Sequence, residues 1–134
     1  MPRLRHPPEN DFEIKPSSIT GAGQGLFVRR MFAEDALLGP YTGELITYID
    51  LAAGRFSGSN YLLGLTAKYL IAGEGPMANY TRYINHSSTP NALLVVSTRW
   101  KSAHFVAIRD ISAGEEVFFD YGEEYWKNAD YTPS

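Results

Sequence analysis

The sequence predicts a mostly-β fold in a single domain, and three observations predict it. Short runs of aromatic and β-branched residues, which strands favour, recur along the chain. Twelve glycines and eight prolines in 134 residues cut those runs before any grows long. Stretches of helical character are few and short, which leaves no strand–helix alternation for a parallel sheet.

Taken in order, Met1 to Asn10, with Pro2, Pro7 and Pro8, read as a loose tail, and residues 11–134 as the domain. Leu26-Phe27-Val28 reads as a strand after a glycine cluster. Leu37 to Tyr41 and Glu44 to Ile46 are strands flanking Gly43. Tyr48 to Phe56 is a short helix ended near Gly58. Tyr61 to Leu65 and Tyr69 to Ala72 form a hairpin around Thr66-Ala67-Lys68. Met77 to Ile84 holds a turn or two of helix. Leu93 to Ser97 and His104 to Ile108 make a second hairpin, and Val117 to Phe119 a further strand. Glu123 to Asn128 is the third helical candidate, its two glutamates suiting the positive end of a helix.

Composition removes several functions. The chain has no cysteine, so disulfides and thiolate zinc sites are excluded. His6, His86 and His104 show no ligand spacing, and no metal is assigned. A net charge of −3 offers no broad basic field for nucleic acid. No run reaches the length of a membrane span, and the first ten residues lack an apolar signal core. The expectation is a soluble protein that binds neither nucleic acid nor membrane.

Gly21-Ala22-Gly23-Gln24-Gly25 invites a nucleotide-binding reading. The dinucleotide fingerprint needs a third glycine where Leu26 stands, and no Walker sequence occurs. The cluster leads into a strand, so both a flexible turn and a loop presenting its backbone to a ligand stay open. Residues 82–91 pack two Asn, one His, one Arg and the three aliphatic hydroxyls of Ser87, Ser88 and Thr89 into ten positions. Such groups suit either a polar, capped loop or a pocket wall that reads an adenine edge. Glu115 and Glu116 are adjacent, so on a strand they face opposite ways, and a solvated turn is expected. Phe119 and Tyr121 are two apart and share a strand face, as core or as the wall of an apolar tube.

In this order the segments resemble the SET-domain lysine methyltransferases. Gly23-Gln24-Gly25-Leu26-Phe27 is similar to the family's first glycine motif. Tyr41-Thr42-Gly43-Glu44 is similar to its Tyr-x-Gly-Glu segment. Arg82-Tyr83-Ile84-Asn85-His86-Ser87 with Pro90-Asn91, and Gly114-Glu115-Glu116-Val117-Phe118-Phe119-Asp120-Tyr121-Gly122, resemble its two specific signatures. The resemblance covers roughly residues 12–126.

It implies a fold of several small curved sheets, with short helices and a C-terminal pseudoknot that brings Asn85-His86 beside Tyr121. It implies S-adenosylmethionine as methyl donor, leaving S-adenosylhomocysteine. Ala22, Gly23, Gln24, Tyr61, Arg82, Tyr83, Asn85, His86 and Tyr121 would form the donor's site. Tyr121 holds the position of the catalytic tyrosine, and Tyr41, Leu63, Phe119, Tyr121 and Trp126 fall on the lysine channel. Phe119, where a tyrosine would limit the product, implies di- or trimethyl-lysine. With no cysteine for the zinc-binding modules that flank many members, the layout resembles the small stand-alone members, which implies that Tyr125, Trp126 or Tyr131 would close the channel. Leu63 replaces a frequent aromatic, and Gln24 stands where a bulky aromatic often sits.

The expected partner is a lysine-containing protein or peptide, with a histone tail first, acted on inside the cell and in the nucleus if it is a histone. Pairing as a homodimer is known among small members of this kind. Two other readings share the sequence: a methyltransferase of free lysine or a small amine, and a catalytically silent SET-fold binding module.

Overall fold

The computed structural model describes residues 7–56, 58–59 and 61–120, and the backbone of 126–128. Strands dominate, as expected. β1 (Phe12–Pro16) pairs antiparallel with β2 (Gln24–Val28). β1 alternates apolar and polar residues over Phe12-Glu13-Ile14-Lys15, but only Phe12 is buried and Ile14 is exposed, and the sequence reading assigned no element to this stretch. A second sheet runs β4 (Glu44–Thr47), β6 (Tyr69–Ala72), β5 (Leu62–Gly64), all antiparallel. The largest sheet has the order β11 (Trp126–Asn128), β8 (Ala92–Ser97), β9 (Ser102–Ala107), β3 (Leu37–Pro40). The fourth is a parallel pair of two-residue strands, β7 (Asn85–His86) and β10 (Phe118–Phe119).

Both expected hairpins form. In the first, the Thr66 hydroxyl accepts from the Lys68 and Tyr69 amides at 3.1 and 3.0 Å, a side-chain turn that reverses the chain. In the second, β8 buries Ala92, Leu94 and Val96, and β9 buries Ala103, Phe105 and Ala107. This strict alternation sets one face of the hairpin into the core. The main core joins these to Leu26, Val28, Phe32, Leu38, Ile111 and Val117, each no more than 1% exposed. Burying side chains of this size stabilises the fold by about 1.5–3 kcal/mol each before entropy is counted. A smaller cluster of Ile46, Leu70 and Ala72 lies on the second sheet.

The helices are shorter than expected. α1 spans only Tyr48–Ala52. Its start is fixed by a capping box: Asp50 N–H donates to Thr47 Oγ1 at 3.1 Å, and Thr47 N–H to the Asp50 carboxylate at 3.0 Å. Its end comes early because Gly54, at φ +103°, turns the chain out of the right-handed helix. Met77 to Ile84 holds no α-helix: a 3-10 turn at Gly75–Met77 ends where the expected helix begins, and a second spans Tyr80–Tyr83. There Asn79 Oδ1 accepts from the Thr81 amide at 3.1 Å, while its Nδ2 donates to Pro40 C=O at 2.9 Å, fastening the turn to β3.

The helix expected over Glu123 to Asn128 is a correction: Trp126–Asn128 is the strand β11, parallel to Leu94–Val96 of β8. A free sheet edge presents unpaired backbone groups, and the pairing satisfies them. Glu123 and Glu124 lie outside the described residues. With β10 beside β7 and β11 beside β8, the C-terminal segment is threaded along two earlier strands, the crossing that the resemblance implies. Among the described residues, no helix is long and apolar enough to cross a membrane.

Candidate active site

The glycine-rich loop closes the β1–β2 hairpin. Ser17 N–H donates to Gly23 C=O at 2.8 Å, and Ala22 N–H to Ile19 C=O at 3.1 Å. Gly21 and Gly23 have φ of +84° and +75° with open space where a Cβ would stand, so glycine serves their backbone conformation. Gly25 is different. A Cβ there would lie 2.2 Å from Glu116 Oε2.

That contact exposes an error in the sequence reading. Glu115 and Glu116 do part to opposite sides, but only Glu115 belongs to a solvated turn. It accepts from the Ser112 amide at 2.8 Å and pairs with Arg109 at 3.1 Å. Glu116 is 6% exposed. Its carboxylate accepts from Ser17 Oγ (2.8 Å), Ser18 N–H (2.8 Å), Ser18 Oγ (2.7 Å) and Asn85 Nδ2 (3.2 Å). Burial alone would raise its pKa, but the hydrogen bonds from Ser18, Ser17 and Asn85 outweigh burial and hold it below the usual glutamate value.

The segment 82–91 divides into wall and anchor. The turn Tyr80–Tyr83 is fixed from behind by the buried Tyr80 hydroxyl, which donates to Leu38 C=O at 2.8 Å. Burial, with Glu9 and Asp11 nearby, pushes that phenol up to about 12, so it remains a donor. Arg82 then lies with its guanidinium carbon 5.4 Å from the Tyr61 ring centre and 4.9 Å from that of Tyr83, and it donates to the Tyr83 hydroxyl at 2.8 Å. Asn85 reaches across to the glycine loop, donating to Gln24 C=O at 2.9 Å. Asn91, 1% exposed, is the anchor: it donates to Glu116 C=O and accepts from Phe118 N–H, both at 2.8 Å.

These elements enclose a cavity of about 610 Å³. Its lining includes Ala22, Gly23, Gln24, Tyr61, Arg82, Tyr83 and Asn85, together with Tyr41, Leu63 and Phe119. The cavity thus gathers residues that sequence reasoning assigned separately to a cofactor site and to a channel. Its apolar end is aromatic. Phe105 packs edge-on against Phe119 (ring centres 5.0 Å apart) and against Tyr41 (6.3 Å). The Tyr41 hydroxyl donates to Tyr61 C=O at 2.5 Å, tying β3 to the strand that forms the opposite wall. A Cβ at Gly73 would lie 2.4 Å from that hydroxyl, so glycine there leaves the phenol its place.

Three expected site residues stand apart. His86 is not in the lining; its imidazole is exposed, with Nδ1 3.7 Å from the Asp120 carboxylate. Tyr121 lies outside the described residues, one step beyond Asp120. Trp126 is described only as backbone, in β11. Sequence reasoning missed Phe105 and Glu116. Phe105 carries the burial pattern of any core strand, so no local signal marks it as a cavity wall. Glu116 sits in a signature segment, and a buried partner for it cannot be read from one dimension.

Small sheets, a glycine-loop wall and a C-terminal strand threaded past the Asn-His pair define a family. Residues 23–122 match the SET domain, and the chain belongs to the SET-domain family. It is 34% identical over 123 residues to the histone-lysine N-methyltransferase EZH2 of Chaetomium thermophilum, covering 81% of this chain and 8% of that protein. It is 30% identical over 131 residues to the N-lysine methyltransferase KMT5A-A of Xenopus laevis, covering 90% of this chain and 39% of that protein. Among solved structures it is similar to ctPRC2 in an autoinhibited conformation bound to S-adenosylmethionine, with a TM-score of 0.69 and 29% identity, over 85% of this chain and 15% of that one. The chain therefore spans well under half the length of these relatives.

Proposed function

We propose that this domain transfers a methyl group from S-adenosylmethionine to the side-chain amine of a lysine in a protein, with a histone tail as first candidate. One observation carries the reading. A single cavity joins a polar wall, built from the 22–24 loop and Arg82 to Asn85, to an aromatic end of Tyr41, Phe105 and Phe119. The residues fit the donor in size and chemistry. A cavity of about 610 Å³ falls in the range of cofactor-sized sites, and its walls pair a few polar groups with aromatic faces. Main chain at Ala22 to Gln24, the Arg82 side chain and the rings of Tyr61 and Tyr83 would hold the donor.

S-adenosylmethionine, when bound, supplies a methyl group on a positively charged sulfonium. The protein must present a neutral amine to it, and a lysine in water has pKa ~10.4. An aromatic channel disfavours the ammonium and so lowers that value. Alignment does most of the remaining work, and holding two reactants in line can remove roughly 7–11 kcal/mol from a barrier. The Tyr121 hydroxyl is the group assigned to hold the amine, as a neutral dipole facing the migrating charge. Phe119 leaves its part of the wall without a hydroxyl, which favours di- or trimethyl-lysine as product. A histone substrate would place the protein in the nucleus, and the domain would pair as a homodimer.

The deciding experiment mixes purified protein and methyl-labelled S-adenosylmethionine with histones, ribosomal proteins or free lysine. Label on a histone lysine is the expected outcome. Label on free lysine alone would make this a small-amine enzyme. Donor binding without transfer to any acceptor would leave a binding module.

A further inference from the structure

We propose that Glu116 is the positioning residue of the donor wall: its buried carboxylate clasps the Ser17–Ser18 bend and Asn85 together and thereby sets the backbone of Ala22, Gly23 and Gln24. The inference rests on the reading of the cavity as a methyl-donor site and adds a residue that touches no ligand.

Three chains of hydrogen bonds run from this carboxylate to the three wall residues. The first goes through Ser17, whose Oγ donates to Glu116 at 2.8 Å and whose N–H donates to Gly23 C=O at 2.8 Å. The second goes through Asn85, whose Nδ2 donates to Glu116 at 3.2 Å and to Gln24 C=O at 2.9 Å. The third continues from Ser17 Oγ, which accepts from Ile19 N–H at 3.0 Å; Ile19 C=O in turn accepts from Ala22 N–H at 3.1 Å. Ser18 adds two further donors to the same carboxylate. Ser18 N–H and Asn85 Nδ2 can only donate, and one faces each carboxylate oxygen, so the seat demands an acceptor on both. Gly25 is shaped to it, since any Cβ there would collide with Oε2. The carboxylate itself is carried on a rigid element. Phe27 and Glu116 bridge as antiparallel neighbours, and Val117 N–H donates to Leu26 C=O at 2.8 Å.

The loop is otherwise weakly held. Residues 18–24 are exposed and none belongs to the buried core, so these bonds bear on their geometry beside the pairing of Gln24 in β2. Hydrogen bonds to a charged acceptor are the strong kind, and they act as one unit here.

The test is Glu116→Gln, which keeps the shape but turns an acceptor into a donor facing donors. Amide exchange is measured without ligand, and donor binding and steady-state kinetics with it. The amides of Ser18, Ile19 and Ala22 should exchange about tenfold faster, with those of β8 and β9 unchanged. The dissociation constant and KM for S-adenosylmethionine should rise about tenfold, with kcat and the peptide KM changed less than about threefold. Glu116→Asp, which keeps the charge one methylene short, should recover part of the donor affinity. If Glu116→Gln does not fold, Ser17→Ala, at the half-buried start of the loop, carries the same measurements with the same expected directions. Unchanged loop exchange, or unchanged donor affinity in a variant with faster exchange, overturns the proposal. A wild-type protein that binds no S-adenosylmethionine would instead end the methyltransferase reading, while the exchange experiment would still decide whether Glu116 sets the loop.

Discussion

At the scale of single residues, the two ends of the cavity call for different tests. Tyr121→Phe removes one hydroxyl and little volume. It should lower kcat by at least about a hundredfold while leaving S-adenosylmethionine affinity within about threefold, since the hydroxyl is assigned to the transition state and not to donor binding. Titration calorimetry beside single-turnover kinetics separates the two effects, and full turnover in the variant would remove Tyr121 from the mechanism. Phe119 is 7% exposed and packs on Phe105, so a hydroxyl added at its ring edge enters a confined space. Phe119→Tyr should shift the product from di- or trimethyl toward monomethyl-lysine, read by mass spectrometry of a peptide at saturating enzyme. A wild-type protein that itself stops at one methyl group would contradict the assignment. Residue identity alone could suggest these roles. It could not reveal Asn91 or Glu116 as buried anchors, because their partners are 25 to 99 residues away in the chain.

At the scale of elements, strands were legible where alternation or a turn signal accompanied them. β8 and β9 alternate buried and half-buried residues along their whole length, and Thr66 marks the turn between β5 and β6. Helix was over-read for a physical reason. Local propensity over Tyr48 to Phe56 and Glu123 to Asn128 competes with a positive-φ glycine in one case and an open strand edge in the other, and neither competitor is local propensity. α1 is short enough that its cap should matter. Thr47→Ala removes the acceptor of the Asp50 amide and one half of the capping box, and should cost about 0.5–2 kcal/mol. Denaturant unfolding checks this, and an unchanged midpoint would mean that α1 contributes little to the cooperative unit.

At the scale of the whole molecule, the network around Glu116 links the glycine hairpin, β7 and the C-terminal segment, so its ionisation bears on global stability. The carboxyl has a folded pKa below its ordinary value of 4.5. A group of that kind contributes stability that is fully present above its unfolded pKa and is lost as pH falls through the lowered, folded one. Glu115 is shifted the same way, by the Ser112 amide and Arg109, but it is largely solvated and its share is small. The unfolding free energy should therefore be flat near neutrality and decline below about pH 4.5. Glu116→Gln separates this group from the others. At neutral pH the wild type should be the more stable of the two, because only it presents a carboxylate to the four donors. As acid protonates Glu116, the wild-type side chain becomes neutral like the variant's, so the gap should begin to narrow as pH falls below the ordinary glutamate value of 4.5 and close once pH has passed through the lowered, folded pKa. Urea titrations at a series of pH values measure the gap directly. A gap that stays constant across the acid range would mean that the charge of Glu116 does not hold these elements together.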